Sequence, residues 1–203
     1  TDGLDIFQDV FVYVALLISL LIFHALFTYS LFLKYLAKIN PIAFFKKMKE
    51  PILFAFSTSS SAATIPVTLK TVSQDLGVDK NVASFVVPVG ATINMDGTAI
   101  MQGVATIFIA NAYGINLEIS DFISVIMVAT LASIGTAGVP GVGLIMLAMV
   151  LNQVGLPSEG IALIIGIDRL LDMTRTAVNV TGDAAISCVV ASSEKKINYN
   201  YKE

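Results

Sequence analysis

Residues 10–33 form an unbroken run of 24 positions without a formal charge. As a helix rising 1.5 Å per residue, such a run crosses the ~30 Å hydrocarbon core of a bilayer, and a spanning helix is predicted over residues 10–36. Acidic residues (Asp2, Asp5, Asp9) precede it and lysines follow it, the reverse of a signal peptide. A second apolar stretch, residues 122–155, is interrupted by Gly135-Thr136-Ala137-Gly138-Val139-Pro140-Gly141. Its 34 positions exceed one span, but two spans with a turn need more than ~40. Two arms of about 12 helical residues would each reach about 18 Å, so a re-entrant hairpin is predicted over residues 120–155. Residues 41–80 repeat the pattern, with two short arms around Ser57-Thr58-Ser59-Ser60-Ser61-Ala62-Ala63-Thr64-Ile65-Pro66. Complete spans are predicted over residues 82–112 and 158–192. The expected fold class is an all-α polytopic membrane protein: three spanning helices plus two opposed re-entrant helical hairpins.

The lysines orient this arrangement. Lys34, Lys38, Lys46, Lys47, Lys49, Lys70 and Lys80 form one block, and Lys195, Lys196 and Lys202 another. Cytoplasmic loops carry the excess of Lys and Arg, so both blocks face the cytoplasm and the first helix runs from outside to inside. The hairpin at 41–80 then enters from the cytoplasm and the one at 120–155 from outside. Their tips share Ala-x-[Ile/Val]-Pro, at Ala63 to Pro66 and Ala137 to Pro140. Broken helices in corresponding, opposed halves mark the binding site of a secondary transporter. Composition agrees with a lipid-facing surface: 56 % of the chain is apolar, 13 % is charged and the mean hydropathy is +0.82, where soluble domains carry about a quarter charged residues. A net charge of −3 argues against nucleic acid as a partner, and the single cysteine, Cys188, excludes a disulfide framework.

Polar residues inside apolar helices are functional candidates by default. The first cluster is Gly90-Ala91-Thr92-Ile93-Asn94-Met95-Asp96-Gly97-Thr98. Gly90 and Gly97 weaken the helix, and an unwound stretch would free carbonyls and bring Asn94 and Asp96 to the same point. Na⁺, a bare hard cation, needs oxygen ligands of that kind. The second cluster is Asp168, Arg169, Asp172, Arg175, Thr176, Asn179 and Asp183. At 100° per residue these seven fall in one stripe about 120° wide. Asp172 and Arg175, one turn apart, would offer a negative and a positive site to one zwitterionic ligand with an extra carboxylate. His24, alone in the first span, is expected to serve helix packing.

At these residues the chain closely resembles the dicarboxylate/amino acid:cation symporter family, the glutamate and aspartate transporters and their prokaryotic homologues. The resemblance rests on Ser59-Ser60-Ser61, Asn94-Met95-Asp96-Gly97-Thr98, Gly135 to Gly141, and Arg175-Thr176-Ala177-Val178-Asn179-Val180-Thr181-Gly182-Asp183. It implies that Asp172 binds the substrate amino group and Arg175 its side-chain carboxylate, with Thr176 and Asn179 assisting. Thr98, Ser59 and Ser61 on the first tip, and Val139 and Gly143 on the second, would complete the pocket. One sodium site would use Gly90, Asn94, Asn179 and Asp183. Another would use carbonyls of Thr92, Ser133, Ile134 and Thr136 with the Met95 sulfur, and a third Asn94 and Asp96 plus ligands from an earlier helix outside this chain.

The resemblance further implies no enzymatic activity, co-transported Na⁺ ions, an acidic amino acid substrate, and alternating access by elevator-like movement. It implies a lipid-bilayer environment, a homotrimer through a scaffold outside this chain, and a plasma membrane location, the inner membrane in a bacterium. The family's chains are about twice this length, so the chain is expected to be the C-terminal part of a transport domain (residues 1–203). Many relatives carry an extra arginine at the positions of Ser59 or Met173. Either Arg169, one turn earlier, takes that role or the local charge balance differs. Proton coupling, and C4-dicarboxylate or neutral amino acid substrates, are the alternatives within transport. Arg175 opposes a neutral substrate, because it would be left unpaired. An intramembrane aspartyl protease using Asp96 and Asp183 is the alternative from another class, and the sequence lacks its Gly-x-Gly-Asp context.

Overall fold

The computed structural model describes residues 3–199, with side chains from residue 7 onward. Asp2 and Lys202 lie outside the described residues, as does the side chain of Asp5. Among the described residues the regular secondary structure is helical, apart from one isolated antiparallel bridge between Val78 and Ile197. Helix α1 (Gly3–Phe23) continues through a π-helical turn (His24–Thr28), a short α2 (Tyr29–Leu31) and a second π-turn (Phe32–Ala37). Together Phe7–Ala37 make one rod long and apolar enough to cross a membrane. Most of that rod is uncovered: Phe11, Leu16, Phe23 and Phe27 are all exposed, as a lipid-facing helix requires.

Lys38 closes the rod in the left-handed region (φ 57°). Asn40 then caps α3 (Pro41–Lys47) by accepting from the Ile42 amide at 2.9 Å, with proline at the favoured first helical position. The first hairpin is α4 (Lys49–Thr58) and α5 (Ser61–Lys70), the latter prolonged by a π-turn at Thr71–Asp75. Asp79 caps α6 (Lys80–Ile93), and α7 (Asp96–Ala112) follows after a break at Asn94 and Met95. The second hairpin is α8 (Ile119–Ile134) and α9 (Val142–Gln153), joined by the loop that ends at Gly141 (φ 81°). A 3₁₀ turn (Ser158–Leu163) leads into α10 (Ile165–Ser193).

Helix α10 is the axis of the fold and packs against α4, α6, α7 and the end of the N-terminal rod. At 29 residues it is about 43 Å long, enough to span. Its hydropathy is lowered by Asp168, Asp172, Arg175 and Asp183, all of them buried. The first hairpin is wedged between α6 and α10, whereas the second leans chiefly on α7. At the far end the last described residues fold back as a strap. Asp79 N–H donates to the Lys196 carbonyl at 2.9 Å, Asn198 N–H to that of Gly77 at 2.8 Å, and the Tyr199 hydroxyl to that of Ala37 at 3.1 Å.

Candidate functional site

The two hairpin tips meet. Ser60 caps α5, its Oγ accepting from the Ala63 amide at 3.1 Å, and the same hydroxyl donates to the Gly138 carbonyl at 2.7 Å. The Ala62 amide reaches that carbonyl too, at 3.1 Å. One carbonyl of the second tip therefore takes two hydrogen bonds from the first. Ser59, between α4 and α5, holds φ 52°. Such a conformation costs an L-residue on the order of 1–3 kcal/mol and tends to persist at ligand clamps. Its hydroxyl is buried and lacks a protein partner.

Beneath the tips lies a cavity of about 20 Å³ lined by Ser59, Ser61, Met95, Thr98, Thr136, Val139, Gly143, Asp172, Thr176 and Asn179. Ten of the residues expected in binding roles are thus brought together. That volume admits one or two waters, and nothing larger fits while the tips are joined. Arg175 sits at the edge, 1 % exposed. Its Nη1 donates to Asp168 Oδ1 at 2.7 Å and its Nη2 to Asp172 Oδ1 at 3.0 Å. Asp172 Oδ2 accepts from the Gly141 amide at 3.0 Å, which ties the second tip to α10. Asp172 and Arg175 therefore hold each other, and Asp168, to which the sequence reading gave no role, is the second anchor of the guanidinium. Arg169 does not join them: it is exposed and borders a cavity of about 400 Å³ with Val14, Gly166, Leu170 and Met173. It lies at the margin of the predicted stripe, about 100° around the helix from buried Asp168.

Around the α6–α7 break the polar groups divide into two sets. Asn94 Nδ2 donates to Asp183 Oδ1 at 2.9 Å and approaches the Asn179 carbonyl at 3.3 Å. Asn179 in turn pins the break: its Oδ1 accepts from Gly97 N–H at 2.8 Å and its Nδ2 lies 3.2 Å from the Met95 sulfur. A cavity of about 230 Å³ flanks Gly90, Asn94 and Asp183. The other set faces the N-terminal rod. Asp96 Oδ2 accepts from Tyr29 at 2.7 Å and lies 2.8 Å from His24 Nε2. His24, expected to serve helix packing, does so through a polar contact with Asp96, and Tyr29 was not singled out in the sequence because no local pattern marks it. Asn94 and Asp96 take different partners, Asp183 and the His24–Tyr29 pair, yet the two sets adjoin at Gly182, where a Cβ would lie 2.6 Å from both Asn94 Nδ2 and the Tyr29 hydroxyl. Ser133 and Thr136 are buried, with hydroxyls returned to Thr130 and Ala132. The side chains of Ile134 and Thr92 are exposed, which leaves only their carbonyls for an inward role.

Gly90 is required by close approach: a Cβ there would lie 2.5 Å from Asp183 Oδ1 and 2.9 Å from its Cγ. Replacing Gly90 by alanine gains about 1 kcal/mol of helix propensity and forces overpacking of about 1–3 kcal/mol. The expected result is a lower melting temperature; an unchanged or raised one means that the Asp183 carboxylate moves aside freely.

The sequence matches the Sodium:dicarboxylate symporter family over residues 1–193. Mouse (Mus musculus) excitatory amino acid transporter 3 is 44 % identical over 192 residues, which is 95 % of this chain and 37 % of that protein. Human (Homo sapiens) excitatory amino acid transporter 5 is 45 % identical over 171 residues, 84 % of this chain and 30 % of that protein. An excitatory amino acid transporter of Caenorhabditis elegans is 43 % identical over 183 residues, 90 % of this chain and 36 % of that protein. The chain thus spans about a third of the length of these relatives. The family match covers both hairpins, the broken helix and the Arg175 cluster together, and the chain is accordingly a membrane protein of the sodium:dicarboxylate symporter family.

Proposed function

We propose that this chain is the substrate- and ion-binding part of a sodium-coupled symporter of acidic amino acids. The observation that carries the reading is Arg175, buried between Asp168 and Asp172 at the edge of a cavity closed by two hairpin tips. An acidic amino acid matches this arrangement. Its ammonium replaces the two donors now on Asp172, the Gly141 amide and the Arg175 guanidinium, and its side-chain carboxylate takes the Nη2 face that Asp172 gives up. The unpartnered Ser59 hydroxyl, Thr98 and Asn179 remain for the α-carboxylate. Each exchange trades one charge-assisted hydrogen bond for another, so binding rearranges the site without stranding a charge.

Sodium enters through charge balance. Asp168, Asp172 and Arg175 together carry one net negative charge, and an acidic amino acid adds a second. In a low-dielectric site such an excess is strongly unfavourable unless cations accompany it. Asp183 with Asn94, Asn179 and the backbone at Gly90 supplies one cation site. Asp96 with Asn94 supplies another, and carbonyls of Thr92, Ser133, Ile134 and Thr136 beside the Met95 sulfur a third. Sodium bound under the second tip favours its closure, as substrate does from the other side, and two ligands that favour one state raise each other's affinity.

In the same reading both hairpins are re-entrant, entering the bilayer from opposite faces, with α6–α7 and α10 as spans beside the N-terminal rod. The second hairpin acts as the extracellular gate. The unit moves in elevator fashion against a trimeric scaffold supplied by the rest of the protein, in the plasma membrane. The deciding experiment is calorimetric L-aspartate binding by the intact protein in detergent, across a sodium titration with potassium as control. Affinity is expected to rise steeply with sodium and not with potassium. Binding indifferent to sodium, or no aspartate binding at any sodium concentration, overturns the reading.

A further inference from the structure

Asp96 is served by two side chains that an ordinary α-helix would keep apart. His24 and Tyr29 are five residues apart, which at 100° per residue places them about 140° from one another around the rod. The turn between them is π-helical, His24–Thr28. Its wider i→i+5 bonding reduces the step to about 80° per residue, so the two residues come within about 50°. Their rings stand edge to face, 5.0 Å apart at 75°, and both polar atoms reach the same oxygen, Asp96 Oδ2, at 2.8 and 2.7 Å. The other oxygen, Oδ1, is buried and has no protein partner. The tyrosine is itself fixed: its hydroxyl lies 3.2 Å from the Val178 carbonyl, and a Cβ on Gly182 would stand 2.6 Å from it.

We propose that His24 and Tyr29 are positioning residues for a sodium ion at Asp96: the π-turn aims both at Oδ2, fixes the carboxylate plane and presents Oδ1 to the ion. The inference rests on the reading of Asp96 as a cation ligand given above, and adds to it how this chain orients that ligand. A carboxylate free to rotate must be ordered when the ion arrives, whereas one already held by two hydrogen bonds is not. Loss of such outer partners lowers metal affinity by about 10- to 100-fold in known sites. Neither residue touches the cavity beneath the hairpin tips, so their effect is confined to the ion.

The test uses the intact protein with two readouts: sodium-induced thermal stabilisation without amino acid, and the sodium concentration that half-saturates aspartate binding. Tyr29→Phe keeps the ring and loses the hydroxyl; His24→Leu loses the ring nitrogen; His24→Gln retains an N–H donor. The first two are expected to raise the sodium midpoint in both readouts about tenfold, with aspartate affinity at saturating sodium unchanged. His24→Gln is expected to recover most of the loss. Midpoints unchanged in Tyr29→Phe and His24→Leu, while Asp96→Asn shifts its own, overturn the positioning role and leave Asp96 as a ligand. An unmoved midpoint in Asp96→Asn removes the cation from Asp96 and overturns both. A lower melting temperature in sodium-free buffer with unmoved midpoints means that the pair only holds helices together, which also overturns the proposal.

Discussion

Replacing Arg175 by alanine is expected to abolish acidic amino acid binding while sodium still stabilises the protein. Truncating one partner of a buried, hydrogen-bonded charge pair costs about 2–5 kcal/mol, a fall in affinity of about thirty- to several-thousand-fold. Here the guanidinium holds two carboxylates, at 2.7 and 3.0 Å, so its removal strands both in a site that water scarcely reaches. Breaking a buried pair destabilises by about 3–5 kcal/mol, and a simple loss of fold would imitate a loss of binding. The double variant Asp168→Asn with Arg175→Ala separates the two, because it removes one stranded charge and restores part of the stability. Calorimetry on that variant is expected to show no aspartate binding beside an intact sodium-induced melting shift. Aspartate affinity unchanged in either variant sinks the assignment of Arg175.

Asp183→Asn is expected to raise the sodium concentration needed for half-maximal aspartate binding at least tenfold, and to leave affinity at saturating sodium close to that of the parent. The carboxylate is 2 % exposed and its protein donor is the neutral Asn94 amide, so its charge has no fixed counterion among the described residues. An asparagine removes that charge at nearly constant volume and still accepts from Asn94. The effect therefore falls on the cation and reaches the amino acid only through coupling, which is reciprocal. Calorimetry at two sodium concentrations checks this. A tenfold loss that persists at saturating sodium would assign Asp183 a further part in holding the substrate.

Much of this architecture was legible because apolar run length and punctuation speak directly to a bilayer. The charge-free run before Lys34, the Gly/Pro-rich interruption of residues 122–155 and the serine-rich tip before Pro66 each follow from local composition. The helical periodicity of α10 brought Asp172, Arg175, Thr176 and Asn179 to one face; Asp172, Thr176 and Asn179 line the cavity at the hairpin tips, and Arg175 pairs with Asp172. Periodicity failed at the margin of the stripe, where a shift of about one residue separates buried Asp168 from exposed Arg169. It also failed wherever the helix was not α-helical. The π-turn at His24–Thr28 has no composition signature, so the route from His24 and Tyr29 to Asp96 lay beyond a reading that turns by 100° at every step. Contacts across more than sixty positions, such as Ser60 to Gly138 and Tyr29 to Asp96, depend on how helices pack and not on what either segment contains.

The strap at the end of the chain gives the two hairpins unequal stiffness. The base of the first is tied to the preceding helix α3 by Lys47 on the Asp75 carbonyl, and is bound below by the Val78–Ile197 bridge. Its flanks are wedged and its tip is hydrogen-bonded, so it behaves as a beam clamped at both ends. The second hairpin leans chiefly on α7 and is fastened at its tip by bonds to Ser60, Ala62 and Asp172, which makes it a lever with a latch. Displacement concentrates in the compliant member of such a pair, so if the second hairpin is the gate proposed above, the rigid one supplies the reference against which it would open and return.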